Sequence, residues 1–154
     1  MSHPVELGHV TDRRPPFRYA AYTRVGFSET DAQGVVYYGR YMPYFDLSRT
    51  EYHRHLDLGR ARADLGDFAM RASSVEYFAP ARFDDLLEIF VRVGRIGTTS
   101  VTYEHEAYRL SDDAEDELMC RAQQTVVSLD LATRRPLPVP GALRDAVLAF
   151  EGAA

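Results

Sequence analysis

The 154-residue chain has one cysteine, Cys120, and contains no lysine and no asparagine. A lone cysteine excludes an intramolecular disulfide and any CxxC zinc site. Without lysine there is no Schiff-base amine and no P-loop lysine; without asparagine there is no Cys-His-Asn triad. All 18 basic side chains are therefore arginine, so a phosphate-bearing ligand must be held by guanidinium, hydroxyl or backbone N–H groups. Long apolar runs are missing as well. None approaches the roughly 20 residues of a membrane span, and MSHPVELGHV has no apolar stretch of the secretory-signal kind. Positive charge is in deficit, with a formal net charge of −5, which argues against a nucleic-acid surface. The expectation is a soluble, cytoplasmic chain with no membrane or nucleic-acid partner.

What is present suits one domain with a sizeable core: 45% of residues are apolar, close to the globular average. Residues 1–16 hold three prolines and few large apolar side chains, and end in Arg13-Arg14-Pro15-Pro16. They read as a loose tail ahead of a domain spanning 17–150. Residues 17–25, FRYAAYTRV, read as a strand. Over 39–57 the pattern is helical: Tyr41, Phe45, Ser48, Tyr52 and Leu56 share one face, with Pro43, Asp46, Thr50, His53 and Asp57 opposite. Pro43 is tolerated because it falls in the first turn, where N–H groups have no intrahelical partner. From Phe68 the period changes to two, predicting strands over 68–80, 86–95, 99–110 and 117–131, joined by short hairpin connections. A short helix over 141–150 closes the chain. A helix with an apolar face and an antiparallel sheet must pack on each other, giving a two-layer α+β domain.

The chemistry concentrates in residues 25–41, VGFSETDAQGVVYYGRY. Asp31 stands in a polar turn, a glycine follows at 34, and the aromatic start of the long helix comes next. The free N–H groups of a helix start, with the positive end of its dipole, stabilise an anion. A carboxylate and such an oxyanion hole in one loop are parts enough for acyl transfer. Taken alone, Asp31 also suits a turn cap. Glu29, two residues earlier, reads as a structural carboxylate hydrogen-bonded within the loop. Tyr41, Phe45 and Tyr52 belong to the helix–sheet core, whereas Tyr37 is open to a role in the site. Phe68 and Met70 either line an acyl pocket or pack in the core. His53 and His55 point to different faces of the helix, and His105 lies on the other side of its strand from Glu104 and Glu106. No metal site is expected.

Glu29-Thr30-Asp31-Ala32-Gln33-Gly34-Val35-Val36-Tyr37-Tyr38 resembles the active-site loop of the hotdog-fold acyl-CoA thioesterases, the 4-hydroxybenzoyl-CoA thioesterase and YbgC-like group. Residues 41–49 (YMPYFDLSR), 77–86 (YFAPARFDDL) and 137–140 (LPVP) resemble the same family. The resemblance implies a five-stranded antiparallel sheet wrapped around the long helix, and a homodimer, or a homotetramer, with the site at the interface. It makes Asp31 the catalytic carboxylate, as nucleophile or as general base, with the N–H groups of Tyr38 and Gly39 polarising the thioester carbonyl. Gly34 and Tyr37 border that centre, and Phe68 and Met70 are acyl-pocket candidates. Arg95 is the first candidate for a CoA phosphate, with Arg82 and Arg40 behind it. The implied reaction is hydrolysis of acyl-CoA to an acid and free CoA, without cofactor. The other readings are a thioesterase for acyl carrier protein thioesters and a non-catalytic acyl-CoA-binding module.

Overall fold

The period-two segments pair into a single antiparallel sheet, and the long helix lies across one of its faces. The computed structural model of the chain describes residues 5–152. Its strands are β1 (Gly8–Val10), β2 (Tyr19–Arg24), β3 (Phe68–Tyr77), β4 (Leu86–Ile96), β5 (Ser100–Arg109) and β6 (Glu117–Ser128); its helices are α1 (Tyr41–His55), α2 (Arg62–Leu65) and α3 (Gly141–Glu151). The strand order is β1-β2-β4-β5-β6-β3. The sheet therefore has six strands where the resemblance implies five. The extra one, β1, lies inside the stretch read as a loose tail and pairs Gly8, His9 and Val10 with Ala21, Ala20 and Tyr19. Residues 1–4 of that stretch lie outside the described residues.

A one-turn 3-10 helix, Tyr38–Arg40, leads directly into α1. Pro43 is the third helical residue, where its missing N–H costs nothing. His53, Arg54 and His55 occupy the last turn, where positive charge complements the negative end of the dipole. Past it the chain leaves the helical region at Asp57 (φ 59°) and Gly59 (φ 85°). The face of α1 read as apolar is buried: Tyr41, Phe45, Ser48 and Tyr52 are all inside. Each such aromatic contributes about 1.5–3 kcal/mol by leaving water, and Phe45→Ala would cost about 3–5 kcal/mol through the cavity it leaves.

One expectation fails on this helix. His53, assigned to the outer face, is buried, and its Nε2 pairs with the Tyr103 hydroxyl at 2.8 Å. Here α3 and β5 close over the end of α1, and their side chains Leu143, Val147, Val101 and Tyr103 join Tyr52 in one cluster. A second cluster surrounds the start of α1, with Tyr41, Tyr44, Phe45, Leu87, Ile89 and Met119. On the opposite face of the sheet, Phe17 and Ala20 cover Phe90, with Tyr108 against them. Among the described residues, no helix is long and apolar enough to cross a membrane.

Candidate active site

The segment before α1 is a small hairpin held at both ends. Asp31 N–H donates to the Val35 carbonyl at 2.8 Å, and Gly34 N–H donates back to the Asp31 carbonyl at 3.0 Å. Thr30 and Val36 form a bridge across its base. Gly34 makes the reversal at φ 81°, a left-handed conformation that a side chain disfavours. The hairpin is fastened to the segment ahead of β4, through a Val35–Arg82 bridge and Val36 N–H to the Ala81 carbonyl at 2.8 Å. Tyr37 N–H donates to the Glu29 carbonyl at 3.0 Å. The Glu29 carboxylate accepts Gly26 N–H and so closes the one-turn 3-10 helix Phe27–Glu29. Glu29 thus holds loop structure, as read from the sequence.

Within this hairpin Oδ1 of Asp31 accepts Gln33 N–H at 2.8 Å and Val35 N–H at 3.4 Å. These bonds orient the carboxylate, and Oδ2 accepts no hydrogen bond from any described residue. Tyr38 and Gly39 open the 3-10 turn that feeds α1. Among the described residues neither N–H donates to another backbone group, as expected of the first N–H groups of a helix. The Tyr77 hydroxyl donates to the Tyr38 carbonyl at 3.1 Å. That carbonyl belongs to the same peptide unit as Gly39 N–H, so Tyr77 fixes the plane in which this donor points. In the sequence Tyr77 is only part of a strand motif. A phenol on the far strand, with no role in the local pattern, carries no sequence signal for this contact.

Aromatic rings wall this end of the molecule. Tyr37 and Tyr38 lie 4.4 Å apart by centroid, Tyr38 and Tyr77 6.4 Å, and Tyr41 and Tyr77 5.7 Å. Tyr41 is buried, and burial pushes its phenol up to about 12 even though its oxygen accepts the Ala81 N–H at 3.3 Å. Burial, then the charge of Glu29, pushes the Tyr44 phenol up as well. Tyr37, by contrast, is half exposed beside the hairpin, which keeps it available to the site.

Asp31, Gly34, Tyr37, Tyr38 and Gly39 are thus brought together. Phe68, Met70 and Arg95 are not. Phe68 pairs with Ser128 at one end of β3 while Tyr77 pairs with Cys120 at the other, about 30 Å away at 3.3 Å per residue. Phe68 borders a cavity shared with Arg49, His53, Leu65, Tyr103 and Leu143. Met70 is on the same exposed strand. Arg95 pairs with Thr102 near the β4–β5 turn, whereas the site end of β4 is Leu86, beside Arg24. Within one chain these three residues belong to the opposite end of the sheet. Among the described residues no group of three His, Cys, Asp or Glu side chains is placed to hold a metal.

Comparison with known proteins bears on the family and the fold. The family model of the thioesterase-like superfamily matches residues 25–147. The acyl-CoA thioester hydrolase YbgC of Escherichia coli O157:H7 is 34% identical over 119 residues, covering 76% of this chain and 86% of that protein. A thioesterase of Thermus thermophilus, solved with coenzyme A and zinc, superposes with a TM-score of 0.76 at 25% identity, covering 92% of this chain and all of that one. The 4-hydroxybenzoyl-CoA thioesterase of Pseudomonas sp. strain CBS-3 superposes at 0.73 with 20% identity, covering 82% and 96%. The sheet wrapped on α1 is accordingly the hotdog fold, with one strand more than expected.

Proposed function

We infer a thioester hydrolase, because this chain belongs to the thioesterase-like superfamily. The reading is an acyl-CoA thioesterase, as YbgC of Escherichia coli is named. It rests on one observation above all: the Asp31 carboxylate is oriented through Oδ1 and uncommitted at Oδ2, a few residues ahead of two free N–H groups at a helix start. The thioester carbonyl oxygen takes the N–H groups of Tyr38 and Gly39, which stabilise the negative charge that develops on it. As general base, Asp31 takes a proton from water while the water oxygen attacks the carbonyl carbon. The C–S bond then breaks, the acid leaves, and the CoA sulfur receives a proton. As nucleophile, Asp31 forms a mixed anhydride that water opens. A single turnover in heavy-oxygen water separates the two, because only the anhydride route can leave the label in Asp31.

The acting species in this reading is a homodimer. β3 is an edge strand of ten residues, exposed almost throughout, with its outer backbone groups unpaired. Antiparallel pairing of two β3 edges sets the Phe68 end of one copy against the Tyr77 end of the other. The partner's Phe68 and the partner's Met70 then reach the Asp31 loop that a single chain keeps from them. Pairing of dimers into a tetramer is compatible with this. A cytoplasmic setting suits the one cysteine, a free thiol buried in the core.

The test is a hydrolysis screen over aryl, short-chain and long-chain acyl-CoAs, and over acyl carrier protein thioesters, reading the released thiol with a chromogenic reagent. Burial pushes the Cys120 thiol up to about 12, so the folded enzyme adds no background to that readout. Turnover of at least one acyl-CoA is expected. Tight acyl-CoA binding with no turnover would leave a binding module instead. A sole 17.5 kDa species in light scattering at low micromolar concentration would end the dimer reading.

A further inference from the structure

Helix α1 and the edge strand β3 leave a strip of the sheet's inner face open between them. Alternation along β3 and its register with β6 put Ser73, Val75 and Tyr77 on that face, opposite Gln124, Ala122 and Cys120. The strip begins at the Tyr38–Gly39 turn, where the Tyr38 and Tyr77 rings lie 6.4 Å apart. Met42 stands one turn further along α1, and both it and Val75 are half-buried against the cluster around the helix start. Up to this point the walls are aromatic or apolar. The next residues are not. Ser73 is exposed, and Gln124 is a buried amide between the buried apolar residues Ala122 and Val126 of its own strand face.

Burying an amide there costs stability unless its hydrogen bonds are made, and these are made weakly. Gln124 Nε2 donates to the Ser73 hydroxyl oxygen at 3.2 Å and meets Met42 Sδ at 3.5 Å. Its oxygen accepts an Arg49 N–H at 3.3 Å. The Ser73 hydroxyl donates to the same thioether, at 3.8 Å. A thioether is a weak acceptor, so a hydroxyl and an amide N–H share one poor partner. An oxygen brought by a ligand is a better one, and the flexible Met42 side chain can yield the place. The Arg49 guanidinium is already paired with Asp46 at 2.6 Å. What this end of the strip lacks is an acceptor rather than a counterion.

The strip is also of a length that an acyl group spans. Met42 follows Gly39 by about 4.5 Å of helix rise, and Ser73 lies about 13 Å along β3 from Tyr77. An oxygen about five bonds beyond the acyl carbonyl carbon extends about 6 Å, and a hydrogen bond of about 3 Å completes the span. Pairing of two β3 edges uses backbone groups in the plane of the sheet and leaves inner-face side chains available.

We propose that Ser73 and Gln124 are specificity-determining residues: they select acyl groups whose far end carries an oxygen that accepts hydrogen bonds without donating, a keto or carboxylate oxygen. The acyl chain passes between Tyr38, Met42, Val75 and Tyr77, and its oxygen takes the Ser73 hydroxyl and the Gln124 N–H in place of the Met42 sulfur. This rests on the acyl-CoA reading of the Asp31 loop and names the acyl groups that the loop is served with best.

Three CoA thioesters of equal chain length test it: hexanoyl-CoA, which has no far oxygen, 5-oxohexanoyl-CoA and glutaryl-CoA, each corrected for hydrolysis without enzyme. At least one of the oxygen-bearing pair has a kcat/KM about tenfold or more above that of hexanoyl-CoA, and whichever leads assigns the keto or the carboxylate oxygen. Ser73→Ala, at an exposed position, narrows that ratio about fivefold or more, and so does Gln124→Leu, which removes the amide at similar volume. An equal loss on all three substrates gives the two residues a structural role only and overturns the proposal. So does a wild type with no preference over hexanoyl-CoA, an outcome that leaves the acyl-CoA reading standing. If none of the three is turned over, their dissociation constants by calorimetric titration give the same ratio. A preference that Ser73→Ala narrows then upholds the selection while the hydrolase reading fails for these thioesters, and equal affinities overturn it.

Discussion

Asp31 and Glu88 are both carboxylates, and the molecule uses them in opposite ways. Glu88 is fully buried on the outer face of β4, between Tyr22 and Tyr108 in strand register. His9 Nε2 reaches it at 2.8 Å and the Arg13 guanidinium takes both of its oxygens. Its charge is consumed in fastening the segment around β1 to the sheet. Asp31 sits in a loop, oriented through one oxygen by N–H groups of its own hairpin, with the other oxygen uncommitted. A buried carboxylate with both oxygens engaged is structure, because any change of its state would break the packing around it. A carboxylate held in direction but left with a free oxygen beside unpaired N–H groups is equipped for chemistry.

Exchanging the charge for an amide at each position breaks that comparison most sharply. Asp31→Asn keeps shape and hairpin contacts, so its melting temperature stays close to wild type while kcat falls by at least about 10²-fold, or roughly 2.7 kcal/mol. Glu88→Gln reverses the pattern. It lowers stability by about 2–3 kcal/mol in denaturant titration, below the usual cost of breaking a buried pair because Arg13 is half exposed. The kcat of its folded fraction stays at the wild-type value. Loss of activity without loss of stability at Glu88, or the reverse at Asp31, would cancel the distinction.

The buried histidines extend the comparison to pH. Burial and the positive charge of Arg49 lower His53 to about 4 and His105 to about 3. His53 bonds the Tyr103 hydroxyl, and His105 Nδ1 meets the Ser48 hydroxyl at 3.2 Å. Both are neutral in the folded chain, while the unfolded chain protonates them near 6.5. Their contribution to stability is complete above about pH 6.5 and is lost as pH falls toward 4, at up to about 1.4 kcal/mol per pH unit for each. His53→Gln should make the acid limb of unfolding shallower by one such increment, which denaturant midpoints at successive pH values measure. The smallest effect belongs to Gly34→Ala. An added Cβ meets no atom within 4 Å, but φ 81° disfavours it, so stability falls by about 1 kcal/mol. Any larger loss in kcat than in stability would report on how the turn aims Asp31.

Much of this was legible because neighbours along the chain decide it. Alternation in β5 puts Val101, Tyr103, His105 and Ala107 on one side, as observed, and the 3.6-residue period fixes which face of α1 is inside. The parts of the site that lie in one loop, from Asp31 to Gly39, were legible for the same reason. The misses share a different cause. Gly8-His9-Val10 has no strand signal of its own and is extended only because β2 offers it a free edge. His53 looks like an outer residue of an amphipathic helix until α3 and β5 close over it. Tyr77 orients the Gly39 peptide from the far edge strand, across the fold.

From the sequence alone came the α+β order, the buried face of the long helix, and a carboxylate set ahead of a helix start. Those features depend on residues within a few positions of one another, where backbone geometry leaves few alternatives. Only the tertiary structure decided that Glu88 is buried and neutralised, that Tyr77 holds the Tyr38–Gly39 peptide, and that Arg95 and Phe68 lie about 30 Å along their strands from the sheet end that carries the Asp31 hairpin. Strand order and register bring distant residues together or keep them apart, and pairing across the sheet rather than the local pattern sets both.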